Sequence, residues 1–301
     1  MRRLLLISNP VAARTDPASE RAVLEVLQSG GWQVELARTA GHGDARRLAA
    51  QGVADGMEVI AVLGGDGTTM QAASALVGTG VALGVIPGGT GNLLAGNLRI
   101  PSAPVAAARA LLTAHTVRLD LGKVERADGP HFFGVAAGVG YDARVMGATD
   151  AAGKRRWGMG AYVASTFRMM PHLRSVIHRV TVDGVSFDAP ATLVLIANCA
   201  EIFPPYIRLR RDVSPNDGLL DVFLVRADGF WQAIRAIWHV LIERNVLAGE
   251  RGLVAHVKGR EVRIEPEHPE PVELDGDAVG ESPFVATVVP GAISVLARNS
   301  V

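Results

Sequence analysis

The stretch Ile60-Ala61-Val62-Leu63-Gly64-Gly65-Asp66-Gly67-Thr68-Thr69 runs an apolar segment into a glycine turn and then into residues that can open a helix. A buried strand feeding such a turn is the start of an α/β unit. Glycines let the backbone approach a ligand closely, and the first amides of the following helix have no intrahelical partner. Together with the positive end of the helix dipole they make an anion site. Asp66 is the odd member, because a carboxylate repels phosphate unless it holds a metal or a donor. It favours a Mg²⁺-nucleotide over bare phosphate. The alternative is a tight turn with a helix N-cap, and the glycine loop taken alone favours phosphate binding over it.

Working outward, strand and helix signals alternate. Arg3 to Ser8 reads as a buried parallel strand ended by Asn9-Pro10, and Pro17 to Ser29 as a helix stopped by Gly30-Gly31. A strand at Gln33 to Ala37 and a helix at Gly43 to Gly52 precede the strand Met57 to Leu63. Thr69 to Val77 reads as helix, Val81 to Ile86 as strand and Pro104 to Ala114 as helix. This order predicts a doubly wound α/β domain with a parallel sheet. A second glycine turn, Pro87-Gly88-Gly89-Thr90-Gly91-Asn92, also follows a strand. Two such turns on adjacent parallel strands would face one crevice, where open α/β sheets bind ligands. Neither Gly122-Lys123 nor Gly153-Lys154 is followed by Ser or Thr, so the Walker A architecture is excluded.

After about Val117 the texture changes to short strands with turn punctuation: Val117 to Glu125, His131 to Ala137, Ser175 to Val182, Ala191 to Cys199, Leu219 to Val225, Val262 to Ile264 and Val285 to Val289. Helical segments at Arg156 to Met170 and Phe230 to Asn245 interrupt them. The series predicts an antiparallel β-sandwich or barrel. Residues 1–118 are therefore expected to form an α/β domain and 119–301 a β-rich domain. The last strand is free to return to the first domain, and the two are expected to pack across a cleft.

Of the 301 residues 49% are hydrophobic and 20% charged, the balance of a folded protein. Lys plus Arg and Asp plus Glu both total 30, so bulk charge gives no reason to expect a nucleic-acid partner. Cys199 is the single cysteine, which excludes an intrachain disulfide; in its apolar run it reads as a core residue. No run reaches the roughly 18 apolar residues of a membrane span. A cytoplasmic protein is expected, with any membrane contact peripheral and at the inner face. The oligomeric state is left open, a homodimer included.

Gly138-Val139-Gly140-Tyr141-Asp142-Ala143 fits the dinucleotide fingerprint but lies in the antiparallel region, where a plain glycine turn is expected. The histidines form no HExxH pair, so a transition-metal site is not expected. Near the end, Leu274-Asp275-Gly276-Asp277 places two carboxylates on a turn between strands. An Asp-Gly hairpin turn is one reading; a general base that takes a hydroxyl proton is the other.

With those residues in place, the chain resembles the diacylglycerol kinase catalytic-domain family, in particular bacterial soluble lipid kinases related to sphingosine kinases. The resemblance runs through Asn9-Pro10, Gly64 to Thr68, Pro87 to Asn92, Ala137 to Ala143, Lys154-Arg155-Arg156-Trp157-Gly158, Asn216-Asp217-Gly218-Leu219-Leu220-Asp221 and Leu274 to Asp277. It implies transfer of a phosphoryl group from ATP, with Mg²⁺, to a lipid hydroxyl, with residues 1–118 as the nucleotide domain, 119–301 as the lipid or acceptor domain and the active site in the cleft between them. By position it implies ATP contacts at Asn9, Thr39, Gly64, Gly65, Asp66, Gly67, Thr68, Thr69, Met70, Gly89, Thr90 and Asn92. Asp277 would be the base, with Asp66 and Asp275 in the catalytic set, and a structural Mg²⁺ would lie at Asp217 and the carbonyls of Ser214 and Leu219.

Three departures stand out. Asp277 occupies a position where the family usually has Glu, the first turn lacks a Ser-Gly pair, and Glu201-Ile202-Phe203-Pro204-Pro205 replaces a glycine-rich stretch. Basic clusters at Lys154 to Trp157 and Arg208 to Arg211 are candidates for anionic headgroups. The apolar positions Phe230, Trp231, Ile234, Trp238 and Leu241 are candidates for an acyl-chain wall, or an ordinary buried helix face. The rival readings are a kinase of a soluble acceptor, similar to NAD kinases but without their Asn-Glu pair, and a nucleotide- or lipid-binding regulator.

Overall fold

The computed structural model describes residues 2–140, 174–203, 207–210, 212–229, 231–232 and 254–298. The expected helix at Arg156 to Met170, the Lys154 to Trp157 cluster, Tyr141 to Ala143 and all but Trp231 of the proposed acyl-chain wall lie outside them. The chain divides into two compact units, Met1–Asp120 with Gly291–Val301, and Leu121–Pro290.

The first unit alternates strand and helix: β1 (Arg3–Ser8), α1 (Pro17–Ser29), β2 (Gln33–Arg38), α2 (Asp44–Ala54), β3 (Val59–Gly64), α3 (Asp66–Leu76), β4 (Ala82–Pro87), α4 (Leu93–Asn97) and α5 (Pro104–Leu112). Its parallel strands lie in the order β2-β1-β3-β4. Every residue of β3 and β4 is buried, as expected for parallel strands covered on both faces. Helix α1 opens with a capping box, in which the Ser19 N–H donates to Asp16 Oδ1 (2.6 Å) and the Asp16 N–H to Ser19 Oγ (3.1 Å). Its Val23 and Leu27, one turn apart, reach a core shared with Leu4, Leu6, Leu63 and Leu111. The strand order reverses between β1 and β3, and at such a switch point loops splay apart at the carboxyl ends.

The second unit is built on β5 (His115–Arg126), which enters from the first, followed by β6 (Gly129–Phe133), β7 (Ala136–Gly140), β8 (Val176–Val182), β9 (Val185–Ala191) and β10 (Leu193–Ala197). A short hairpin of β11 (Glu201–Phe203) and β12 (Ile207–Arg208) follows, then β13 (Leu220–Val225), β14 (Val254–Gly259), β15 (Glu261–Pro266), β16 (Pro271–Leu274), β17 (Asp277–Glu281) and β18 (Phe284–Ala297). One antiparallel sheet runs β14-β13-β10-β7-β16-β17. In the other, β15 pairs with β8 and with the first part of β18, and β8 with β9. Val139, Ile196, Val222 and Val272 of the first sheet share one core with Val180, Val262, Ile264 and Phe284 of the second. The unit is therefore an antiparallel sandwich. Farther along β18, Ser294 and Val295 pair in parallel with Ala82 and Leu83 of β4.

Several details differ from the runs read in the sequence. The run His131 to Ala137 is two strands, β6 and β7, broken where Gly134 and Val135 turn toward Asp275. Strands β9, β11, β12 and β14 have no counterpart among those runs, and β16 and β17 are legible only as the strands flanking the Asp275 turn. Strands β9 and β14 are sheet edges, where one side has no neighbour to favour apolar residues, and Asp188 and Pro190 in β9 break the pattern further. No helix among the described residues is long and apolar enough to cross a membrane.

Candidate active site

The carboxyl ends of β2, β1, β3 and β4 meet along one edge of the parallel sheet. Backbone bonds hold them in step: the Thr39 N–H donates to Ser8 O (2.9 Å), the Asn9 N–H to Leu63 O (2.9 Å) and the Gly88 N–H to Gly64 O (2.7 Å). Gly64 lies opposite Pro87 in the β3–β4 register, so the two glycine turns leave the sheet side by side. Their backbones touch. A Cβ on Gly89 would stand 2.6 Å from Gly65 Cα, and one on Gly88 would stand 3.0 Å from Gly64 N. Only glycine permits this approach.

Helix α3 begins at this point. Gly65 is its N-cap without any side-chain cap, and the first helical bond is Thr69 N–H to Gly65 O (3.0 Å). The amides of Gly67 and Thr68 precede that bond at the positive end of the helix. Asn9 Nδ2 donates to Thr68 Oγ1 (2.8 Å), which leaves the Thr68 hydroxyl proton available to a ligand. Asn9, Gly64, Gly65, Gly67, Thr68 and Gly89 are thus brought together, with Thr39 on the neighbouring strand end. Thr69 faces away: it is buried, and its hydroxyl donates back to Gly65 O (3.0 Å). Thr90 is exposed, and Met70 is half-buried on α3.

Asp66 and Asn92 brace the turns from within. Asp66 Oδ1 accepts the Leu93 N–H (2.6 Å), and a Cβ on Gly91 would stand 2.7 Å from Oδ2. The carboxylate therefore occupies the start of α4 and ties the second turn to the first helix. Burial pushes the Asp66 carboxyl above its ordinary value, against the pull of the Leu93, Asn92 and Leu94 amides. Asn92, at a left-handed φ of 52°, closes the second turn by accepting the Gly89 N–H (3.0 Å) and donating to Gly89 O (2.8 Å). In this geometry Asp66 braces the second turn against the first helix.

In the second unit, Asp275 (φ 49°) and Gly276 (φ 90°) form the two-residue turn between β16 and β17, both left-handed as a type I′ hairpin requires. The Asp275 side chain points back into the fold. Oδ1 accepts the N–H groups of Val135 (2.8 Å) and Ala136 (2.9 Å), and Oδ2 that of Gly134 (2.7 Å). A carboxylate so engaged positions the hairpin and is poorly placed to take a substrate proton. Asp277, at the start of β17, is exposed, and no hydrogen bond or ion pair engages its side chain among the described residues. The hairpin reading of this turn is met by Asp275 and Gly276.

The residues read as a Mg²⁺ site do not fit a divalent cation as they stand. Asp217 Oδ1 accepts the Leu219 N–H (3.0 Å), and its Oδ2 lies 3.5 Å from the ammonium of Lys258. Ser214 Oγ donates to Asn216 Oδ1 (2.6 Å). A positive charge beside the single carboxylate of the set opposes a second cation. Lys258, and the Gly134-Val135-Ala136 amides under Asp275, are the participants that sequence reading missed. Backbone amides carry no residue signature, and Lys258 lies on an edge strand 41 residues from Asp217. Of the basic cluster at Arg208 to Arg211, Arg210 is held by Asp212 (2.7 Å), whereas Arg208 is exposed.

A doubly wound α/β unit followed by an antiparallel sandwich is the class that the fold defines. Residues 3–124 match the diacylglycerol kinase catalytic domain, and residues 135–297 match the YegS C-terminal NAD kinase beta sandwich-like domain. A diacylglycerol kinase of Mycobacterium tuberculosis is 29% identical, covering 98% of this chain and 94% of the relative. A Chromohalobacter salexigens protein named "Probable lipid kinase YegS-like" is 28% identical over 97% and 92% of the two chains. The crystal structure of a candidate diacylglycerol kinase from Bacillus anthracis superposes with a TM-score of 0.82 at 25% identity, over 99% and 95%. The chain belongs to the diacylglycerol kinase catalytic-domain family, with the YegS-type sandwich as its second domain. The family and the names of its members indicate a kinase.

Proposed function

We propose that the chain transfers the γ-phosphoryl group of ATP to the hydroxyl of a diacylglycerol-like lipid. The observation that carries the nucleotide half is the backbone contact between Gly65 and Gly89 beside the uncapped start of α3. That cradle suits phosphate oxygens, which would lie against the Gly67 and Thr68 amides with the Thr68 hydroxyl donating. Mg²⁺ carried with the nucleotide would supply charge neutralisation on the phosphates. The lipid half is supported by the names of the relatives.

Asp277 is the proposed base. It takes the acceptor's hydroxyl proton as that oxygen bonds to the γ-phosphorus and the bond to ADP breaks. A lipid acceptor implies that the protein works at a membrane surface, from the cytoplasmic side, with exposed Arg208 among the groups that can meet anionic headgroups. Asp277→Asn is expected to lower phosphoryl transfer by at least about 10²-fold. Because Asp277 is exposed and makes no hydrogen bond or ion pair among the described residues, the melting temperature should stay within about 1 °C. Equal rates for variant and parent in an ATP-to-lipid assay would remove Asp277 from the mechanism.

The wording of the second domain's family, which includes NAD kinase, favours a soluble nucleotide acceptor as the second reading. It predicts that NAD, and not lipid, becomes labelled.

A further inference from the structure

The corner of the sandwich at residues 212–221 gathers acidic groups around one lysine. Lys258 Nζ donates to Asp212 O (2.6 Å) and lies 3.3 Å from Asp221 Oδ1, 3.5 Å from Asp217 Oδ2 and 4.0 Å from Asp212 Oδ2. The β13–β14 pairing places it there, because Lys258 lies opposite Asp221 in the register. The lysine side chain is 23% exposed and Asp221 1%, so much of this charge sits away from water. Two further side chains complete the cluster. Arg210 forks onto Asp212 at 2.7 and 3.2 Å, and His256 Nε2 meets Asp221 Oδ1 at 2.6 Å while its ring stacks on Phe223 at 4.7 Å. Three carboxylates are thus faced by a lysine and a histidine on β14 and by an arginine just before the turn.

We propose that the Lys258 ammonium is a built-in cation that does the structural work the family resemblance gives to Mg²⁺ at Asp217, so that this sandwich holds its 212–221 turn without a divalent metal. The chemistry is consistent at each atom. An ammonium supplies three donors on a flexible stem and bonds a carbonyl and carboxylates at hydrogen-bond distances. A Mg²⁺ would need near-octahedral oxygen ligation at about 2.1 Å and would repel the lysine already present. The inference concerns folding of the second unit and does not rest on the proposed phosphoryl transfer.

Thermal unfolding of the full chain, without nucleotide, tests it. The melting temperature of the parent protein should agree within about 1 °C in EDTA, in millimolar MgCl₂ and in millimolar CaCl₂, because a ligand that binds no folded-state site gives no stabilisation. Lys258→Met keeps the apolar stem and removes the charge. In EDTA it should melt about 5 °C or more below the parent, since like charges then face one another with less compensation. A parent that loses stability in EDTA and regains it with Mg²⁺ or Ca²⁺ would overturn the proposal, as would a Lys258→Met protein that melts with the parent. The parent measurement needs no variant, so it decides the matter even if Lys258→Met does not fold. Asp217→Asn adds a further check: its melting temperature should be the same in EDTA and in Mg²⁺, and a parent-only response to Mg²⁺ would identify a metal site.

Discussion

Gly89→Ala is expected to weaken ATP binding by about 10²-fold or more and to destabilise the first unit by about 1–3 kcal/mol. The added methyl would stand 2.6 Å from Gly65 Cα and 3.3 Å from Asn92 Oδ1. The nearer obstacle is backbone, so rotation of a side chain cannot relieve it. The turns must separate, and separation strains the Gly88–Gly64 bond, the Asn92 clasp and the reach of Asp66 to Leu93 together. Those contacts set the position of the α3 amides, and displacement of a binding group by about 1 Å commonly costs two orders of magnitude. Gly41→Ala is the matched control, because a Cβ there meets nothing within 4 Å. Calorimetric titration with ATP, alongside thermal unfolding, checks both parts. Unchanged affinity in Gly89→Ala would mean that the paired turns are not the nucleotide cradle.

Asp275→Ala should be the most damaging single change in the second unit. Three backbone amides, from Gly134 to Ala136, lose the carboxylate that accepts them at 2.7 to 2.9 Å. Hydrogen bonds to a charged acceptor contribute roughly 1.5–3 kcal/mol each, and buried donors left without partners add their own desolvation cost. A loss of about 3–5 kcal/mol is expected, a large share of the stability of a typical domain. The turn at Asp275-Gly276 also carries Asp277, so activity should fall with stability. This coupling separates the two aspartates. Asp275→Ala should lower the melting temperature and the rate together, whereas Asp277→Asn should lower the rate alone. Asp275→Asn, which keeps one acceptor oxygen, should fall between the parent and the alanine variant. A stable, folded Asp275→Ala protein would show that the clamp is dispensable.

The parts of this fold that were legible in the sequence are those stabilised by local pattern. Helix α1 spans Pro17 to Ser29 as read, because Asp16, Pro17 and Ser19 cap it and Gly30 ends it. The strands of the first unit are continuous apolar runs because they are covered on both faces. The pairing of the two glycine turns followed from adjacent parallel strands, and β3 and β4 are adjacent. The rest depends on contacts remote in sequence. Asp275 reaches amides about 140 positions away, and Lys258 meets Asp217 across an antiparallel pair. Edge strands such as β14 are held by pairing more than by apolar alternation, so their sequences carry little signal. Asp66 shows the limit at a single residue: its bond to the Leu93 amide, 27 positions on, cannot be read from its type.

The proposed reaction moves phosphate from ATP to a lipid hydroxyl. The most direct measurement incubates the purified protein with γ-labelled ATP, Mg²⁺ and a bacterial lipid extract, then identifies the labelled product by mass spectrometry. Label is expected in a chloroform-soluble phosphomonoester of a diacylglycerol-like lipid, strongly reduced with Asp277→Asn. Label confined to inorganic phosphate, or transferred to NAD instead of lipid, would contradict it.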